Sequence, residues 1–183
     1  MENTKKTNTR QLTLIGLIAA VTCILGPLSL PIGIVPISLT NLAIYFAVYA
    51  LGGKRGTLSY IVYLFIGLVG LPVFSGFSGG FPKLFGPTGG YLIGFIFMAL
   101  ISGIFIDKFS SKIYMCFLGM VLGTIVTYIF GSAWLAYEAH IGFNKALAVG
   151  VLPFIPGDIV KIVIASLIGP QIKKRLVSAG LYQ

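Results

Sequence analysis

The sequence predicts an all-α membrane protein with six transmembrane helices, built as a single integral membrane domain with both termini in the cytoplasm. Of its 183 residues, 57% are hydrophobic and 9% are charged, and the mean hydropathy is +1.00. A soluble domain has roughly 45–50% apolar and 25% charged residues. Because a helix needs about 20 residues to cross a hydrocarbon core about 30 Å thick, the chain has room for about six spans and no extramembrane domain.

Six apolar runs, separated by proline, glycine or charged residues, are the predicted spans. Their boundaries are 12–25, 37–51, 57–71, 90–106, 113–137 and 156–172. The first run ends before a proline-rich apolar loop, residues 27–36, because proline interrupts a helix. The second ends at a tight turn, GGKRG at residues 52–56, and the third leads into a glycine-rich segment, residues 70–91. Asp107 ends the fourth, a polar turn follows the fifth, and Pro156 opens the sixth.

The positions of the cations predict the orientation. With the N-terminus inside and six spans, Lys83 and Lys145 lie outside, whereas ten cations lie inside, as the positive-inside rule requires. The ten are Lys5, Lys6, Arg10, Lys54, Arg55, Lys108, Lys112, Lys173, Lys174 and Arg175. The net charge of +9 is therefore explained by membrane topology and not by nucleic-acid binding. The proline-rich loop, the glycine-rich segment and the turn before Pro156 then all face outside.

The glycine-rich segment, GLPVFSGFSGGFPKLFGPTGGY at residues 70–91, contains seven glycines and three prolines. In a helix interior each glycine costs about 1 kcal/mol and each proline about 3 kcal/mol relative to alanine, so irregular backbone is predicted. The segment is nevertheless apolar and aromatic, with Phe74 among its four phenylalanines. Irregular backbone near the membrane is tolerated where it is buried or lines a cavity. We interpret the segment as the wall of a binding site that opens to the outside.

Asp158 and Lys161 are the only ionisable acid and base within the predicted spans. Charged residues in a span normally face the protein interior or water and mark a functional site. At positions i and i+3 the two share one helix face, and Asp158 lies in the first turn, where the helix dipole favours an anion. They could simply neutralise each other. Alternatively, Asp158 accepts hydrogen bonds from ligand N–H groups while Lys161 meets a ligand anion.

For other residues the sequence gives weaker evidence of contact with a ligand. Thr88, Gly89, Gly90 and Tyr91 open the fourth helix, where free backbone N–H groups and a hydroxyl could bind a ligand, although the glycines could equally form only a turn. Asn41 could reach the pocket or cap the second helix.

In the first helix, small residues one turn apart allow another helix to approach closely. These residues are Gly16, Ala19, Ala20 and Cys23, and the approaching helix could belong to this protein or to a separate membrane subunit.

The sequence does not favour catalysis. His140 is the only histidine and lies in a polar turn, so neither a His-dependent triad nor a metal site is predicted. The GGKRGT segment at residues 52–57 lacks the spacing of a phosphate-binding loop, which excludes an ATPase. A self-sufficient secondary transporter or channel stays open, although no inverted repeat is evident. A membrane scaffold or an intramembrane enzyme is a third alternative.

Five segments together resemble the BioY family, the biotin-binding substrate-capture (S) subunits of energy-coupling factor (ECF) vitamin transporters. They are PISLTNLA at 36–43, GGKRG at 52–56, GLVGLPVFSG at 67–76, GPTGGYLIGF at 86–95 and VLPFIPGDIVK at 151–161. Asn41 departs from the family, whose members commonly have glutamine at this position.

The resemblance implies the six-helix ECF S-component fold in a prokaryotic plasma membrane, and high-affinity capture of biotin from outside. It implies no cofactor, and assembly with a transmembrane coupling (T) subunit and two cytoplasmic ATPases. In that family the small-residue face of the first helix is the docking surface. Asp158 would accept from the ureido N–H groups of biotin and Lys161 would neutralise its carboxylate, or both would act at one end. A different vitamin is also compatible with the pocket.

Overall fold

The computed structural model describes residues 9–31 and 34–181, and this part of the chain is mostly helical. Eight helices and one short antiparallel β ribbon are present in it. They are α1 Thr9–Leu25, β1 Ser29–Leu30, β2 Ile37–Ser38, α2 Thr40–Leu51, α3 Gly53–Leu68, α4 Phe81–Phe85, α5 Gly89–Lys108, α6 Ile113–Glu138, α7 Phe143–Gly150 and α8 Ile155–Ser178. Within the described residues, α5, α6 and α8 are long and apolar enough to cross a membrane, while α1 and α2 are shorter apolar helices. Each predicted span overlaps one of the six longest helices.

The helix boundaries predicted near residues 52–56 and 172 were wrong. The predicted turn at residues 52–56 is reduced to Gly52, with φ +80°, because α3 already begins at Gly53. The backbone N–H of Gly53 donates to Asp107 Oδ2 at 2.7 Å, which satisfies one free donor at the start of α3. At the other end of the chain, α8 continues past 172 to Ser178, because Ile172 and Leu176 pack against α1 and the end of α2.

Short elements also interrupt segments that we predicted as irregular. The ribbon pairs Ser29 of the proline-rich loop with Ser38, so the first two residues of the predicted second span form a strand and α2 begins only at Thr40. The five-residue helix α4 lies within the glycine-rich segment and starts with a proline in its first turn, where a missing N–H costs no hydrogen bond. Helix α7 follows the polar turn at His140, whose φ is +51°. These elements are too short for their periodicity to be recognised in the sequence.

The core packs α2, α3, α5, α6 and α8 around four buried tyrosines, Tyr45, Tyr49, Tyr60 and Tyr63. Two of their hydroxyls donate to backbone carbonyls: Tyr63 to Val73 O in the glycine-rich segment at 3.0 Å, and Tyr60 to Leu92 O in the first turn of α5 at 2.8 Å. The tyrosines thereby fasten the glycine-rich segment and the start of α5 to α3.

The first and last helices of the described chain, α1 and α8, meet near their outer termini, on one side of the molecule. Arg10 Nη1 donates to Gly180 O at 3.1 Å, and Lys173 Nζ lies 3.9 Å from Asp107 Oδ1. Lys5 and Lys6, which were assigned to the same side, lie outside the described residues. The ribbon, the glycine-rich segment and the turn before α8 lie around the candidate site described next.

Candidate functional site

A partly open cavity of about 650 Å³, its mouth included, lies among α2, α5, α6, α8 and the irregular segments. Apolar and aromatic side chains and a few polar groups line it: Val35, Pro36, Ser38, Thr40, Asn41, Ser75, Thr88, Tyr91, Leu92, Phe95, Met98, Thr124, Thr127, Tyr128, Phe154, Asp158 and Lys161. Asp158 and Lys161 are the only charged residues of this lining.

Asp158 is held in the first turn of α8 by three side-chain donors. Its Oδ1 accepts from Asn41 Nδ2 at 2.8 Å and from Lys161 Nζ at 3.0 Å, and its Oδ2 accepts from Tyr128 OH at 2.6 Å. The residue is only 7% exposed. Three helices, α2, α6 and α8, therefore meet at this carboxylate, and each contributes a donor.

Lys161 links α8 to the ribbon. Besides its contact with Asp158, its Nζ donates to the backbone carbonyl of Ser38 at 2.7 Å, and the residue is 8% exposed. A buried ammonium without partners would be strongly unfavourable, but here an anion and a carbonyl surround it. The pair presents a neutral donor–acceptor surface at the cavity wall, suited to a ligand group that carries both N–H and C=O.

Three further predicted contacts also line the cavity: Asn41, Thr88 and Tyr91. Asn41 reaches the cavity through its bond to Asp158, and its Oδ1 accepts from the backbone N–H of Leu42 at 3.1 Å. It does not cap α2, because the N-cap is Leu39, which makes no side-chain cap bond. The Tyr91 hydroxyl donates to Gly150 O at 2.8 Å, which joins the start of α5 to the end of α7.

The structure places Phe74, Gly89 and Gly90 outside the cavity lining. Phe74 is fully buried and packs edge-on against Tyr63, with its ring against Gly67. A Cβ on Gly90 would overlap Trp134 of α6, and one on Gly89 would overlap Leu84 O. These two glycines therefore allow close packing of protein against protein, and of the glycine-rich segment, only Ser75, Thr88 and Tyr91 form part of the cavity wall.

The small residues of α1 divide between two faces. Gly16 and Ala20 are exposed, and a Cβ on Gly16 would meet nothing within 4 Å. Ala19 is buried, and the half-buried Cys23 packs against the main core. Ala19 and Cys23 thus face this protein and are not available for an external partner, whereas Gly16 and Ala20 are available.

Sequence reasoning missed Tyr128, whose hydroxyl touches Asp158, and Ser38, whose carbonyl accepts from Lys161. A tyrosine in the middle of an apolar run, far from either end of the helix, is the one signal that could have identified Tyr128. Nothing in the residue type could have identified Ser38, because its contact uses the backbone.

Comparisons with known proteins agree on one family. The model of the BioY family matches residues 1–178. The chain is similar to the biotin transporter BioY of Thermotoga maritima, with 39% identity over 90% of this chain and 96% of the relative. It is also similar to biotin transporter BioY2 of Lactococcus lactis subsp. cremoris, with 32% identity over 100% of this chain and 98% of the relative. The crystal structure of the S-component for biotin from an ECF-type ABC transporter superposes with a TM-score of 0.84, at 34% identity over 95% of both chains.

Proposed function

This chain belongs to the BioY family, and on that premise we propose that it is the substrate-binding (S) subunit of an ECF-type ABC transporter, which captures biotin for uptake. It is a multi-pass protein of the prokaryotic cell membrane. The observation that carries the proposal is the neutral Asp158–Lys161 pair, buried in a partly open cavity within an apolar helical domain. Biotin offers a ureido group for the pair and a fused ring and hydrocarbon chain for the apolar lining.

We propose six spans with both termini in the cytoplasm. The contact between Arg10 and Gly180 supports this topology, because it puts both ends of the described chain on one side. The cavity then opens outward, where its mouth is formed by the ribbon, the glycine-rich segment and the turn before α8. Capture from the outside follows from this orientation.

Equilibrium binding of radiolabelled biotin to the purified chain in detergent, without any partner, tests the function. We expect saturable binding of one biotin per chain, and no biotin accumulation when the chain alone is reconstituted in vesicles. Absence of binding by folded protein would overturn the assignment to biotin. Concentrative uptake by the chain alone would show a secondary transporter instead.

The proposed partners are a transmembrane coupling subunit and two cytoplasmic ATPases, since this chain contains no motif for ATP hydrolysis. We propose that the coupling subunit docks on the exposed Gly16 and Ala20 face of α1, where small side chains let a second helix approach. The same face carries exposed Leu12 and Leu17, which provide apolar contact area beside the small residues.

Replacing Ala20 with leucine is expected to abolish co-purification with the coupling subunit and biotin uptake, while leaving biotin binding by the isolated chain unchanged. The added side chain would hold the partner helix away from the α1 backbone. Ala133→Leu is the matched control, because Ala133 is also an exposed alanine but lies on α6. Equal assembly of both variants would contradict the proposed surface.

Replacing Tyr128 with phenylalanine is expected to weaken biotin binding by about tenfold, since a hydrogen bond to a charged group contributes about 1.5 kcal/mol or more. The phenol fixes Oδ2 of Asp158 and so orients the carboxylate. Tyr45→Phe serves as the control, because Tyr45 is a fully buried tyrosine whose hydroxyl bonds Thr124 and not Asp158. If titration gives both variants the same affinity, Tyr128 does not position Asp158.

A further inference from the structure

A second cavity, of about 720 Å³ with its mouth included, lies at the other end of the helices, where α2 ends and α3 begins. It shares no described lining residue with the candidate site. Its charged lining residues are Lys54, Arg55, Asp107 and Lys173. Among the residues that the structure describes, three cations and one acid therefore line this cavity, and the lining is positively charged.

Asp107 holds the cavity together. Its Oδ2 accepts from the backbone N–H of Gly53 at 2.7 Å, and its Oδ1 lies 3.9 Å from Lys173 Nζ. Lys173 Nζ also donates to Ile106 O at 3.2 Å. These contacts join the start of α3, the end of α5 and α8 around the cavity. The cavity is therefore a fixed feature of the fold, and its cations are held in one place.

The three cations suit a phosphate group. Arg55 is half-buried, and its planar guanidinium can donate two parallel hydrogen bonds to phosphate oxygens. Lys54 and Lys173 add compact ammonium charges, and the N-terminal end of α3, which carries a partial positive charge, begins beside them. An anion bound among these groups would relieve the repulsion between the three cations.

Apolar side chains lead away from the cavity along the outside of α3 and α5. Leu58 lies one turn after Lys54 and is 44% exposed, and Ile104 lies one turn before Asp107 and is 59% exposed. Residues three or four apart share a helix face. In a membrane protein such exposed apolar faces meet lipid. A lipid whose phosphate lies in the cavity can therefore lay its acyl chains along them, whereas a soluble phosphate would leave them unused.

We propose that this cavity binds the phosphate of an anionic glycerophospholipid, with the acyl chains against α3 and α5. Basic pockets between transmembrane helices on the cytoplasmic side are suited to anionic headgroups. Under the proposed topology the lipid belongs to the inner leaflet. The inference goes beyond the proposed function and needs neither biotin nor a partner subunit, because Asp158 and Lys161 line the other cavity.

Native mass spectrometry of the purified chain in detergent tests the proposal, with phosphatidylglycerol and phosphatidylcholine of the same acyl chains as probes. Both lipids carry a phosphate, but the choline cation of phosphatidylcholine cancels its charge. We expect the wild type to bind phosphatidylglycerol at least about tenfold more tightly, since each cation near an anionic headgroup contributes a factor of roughly five. Equal binding of the two lipids would overturn the proposal. Displacement of phosphatidylglycerol by inorganic phosphate at constant ionic strength would also overturn it, because the site would then take a soluble anion.

The double variant Lys54→Gln/Arg55→Gln locates the site. It is expected to weaken phosphatidylglycerol binding by at least about tenfold, because it removes two of the lining cations. Lys112→Gln/Lys174→Gln is the matched control, because it removes two exposed cations that are assigned to the same side but lie outside the cavity lining. The control should stay within about twofold of the wild type, since exposed, screened charges contribute little. Equal losses in both double variants would show only a diffuse attraction to the positive surface, and the proposal would be wrong.

Lys54→Gln alone keeps the test available where the double variant does not fold, because Lys54 is exposed. This variant is expected to weaken phosphatidylglycerol binding by about fivefold, and wild-type binding in it would contradict the proposal. If the double variant binds phosphatidylglycerol normally but no longer co-purifies with the coupling subunit, the cavity receives a protein and not a lipid.

Discussion

Replacing Asp158 with asparagine is expected to lower the affinity for biotin by about 30-fold to several thousand-fold, the effect of losing one member of a buried, ligand-contacting charge pair, about 2–5 kcal/mol. The amide has one acceptor oxygen, whereas the carboxylate accepts from Asn41, Lys161 and Tyr128. Isothermal titration of the purified variant with biotin measures the loss.

The single variant also leaves the Lys161 ammonium buried without its anion, which destabilises a protein by about 3–5 kcal/mol. The double variant Asp158→Asn/Lys161→Gln removes both charges and is expected to recover thermal stability without recovering biotin affinity. This combination separates ligand binding from folding. Wild-type affinity in the double variant would show that the two residues only neutralise each other.

The buried pair could be predicted because a charge in an apolar run is visible in the sequence. Its spacing of three residues and the proline before it placed both side chains on one face near a helix start. The sequence could not show that Tyr128 completes the site. Tyrosine occurs in cores, at membrane interfaces and in binding sites, and only the packing of α6 against α8 distinguishes these environments.

The glycine-rich segment shows a second limit of sequence reasoning. Its composition predicted irregular backbone near the cavity, and Ser75, Thr88 and Tyr91 do line the cavity. Glycine, however, permits close approach of a helix as readily as of a ligand. At Gly90 the approaching group is Trp134, and an aromatic residue of the same segment, Phe74, fills a space beside Gly67.

Replacing Gly103 with alanine is expected to destabilise the protein by about 2–3 kcal/mol, the usual effect of overpacking. The added Cβ would overlap the Cα of Gly53, and neither backbone can move freely. The start of α3 is fixed there by the bond from Gly53 N–H to Asp107. In a chain of this size the apparent Tm should fall by roughly 5–10 °C.

Gly16→Ala is the matched control, because the same methyl group on α1 would meet no atom within 4 Å. Alanine is the better helix former by about 1 kcal/mol, so the apparent Tm of this variant should be unchanged or higher. Thermal unfolding of both variants in one detergent measures the difference. If Gly103→Ala melts at the wild-type temperature, the contact between α3 and α5 is looser than the backbone geometry implies. A fall in both variants would instead show that glycine is needed in these helices for a reason other than close packing.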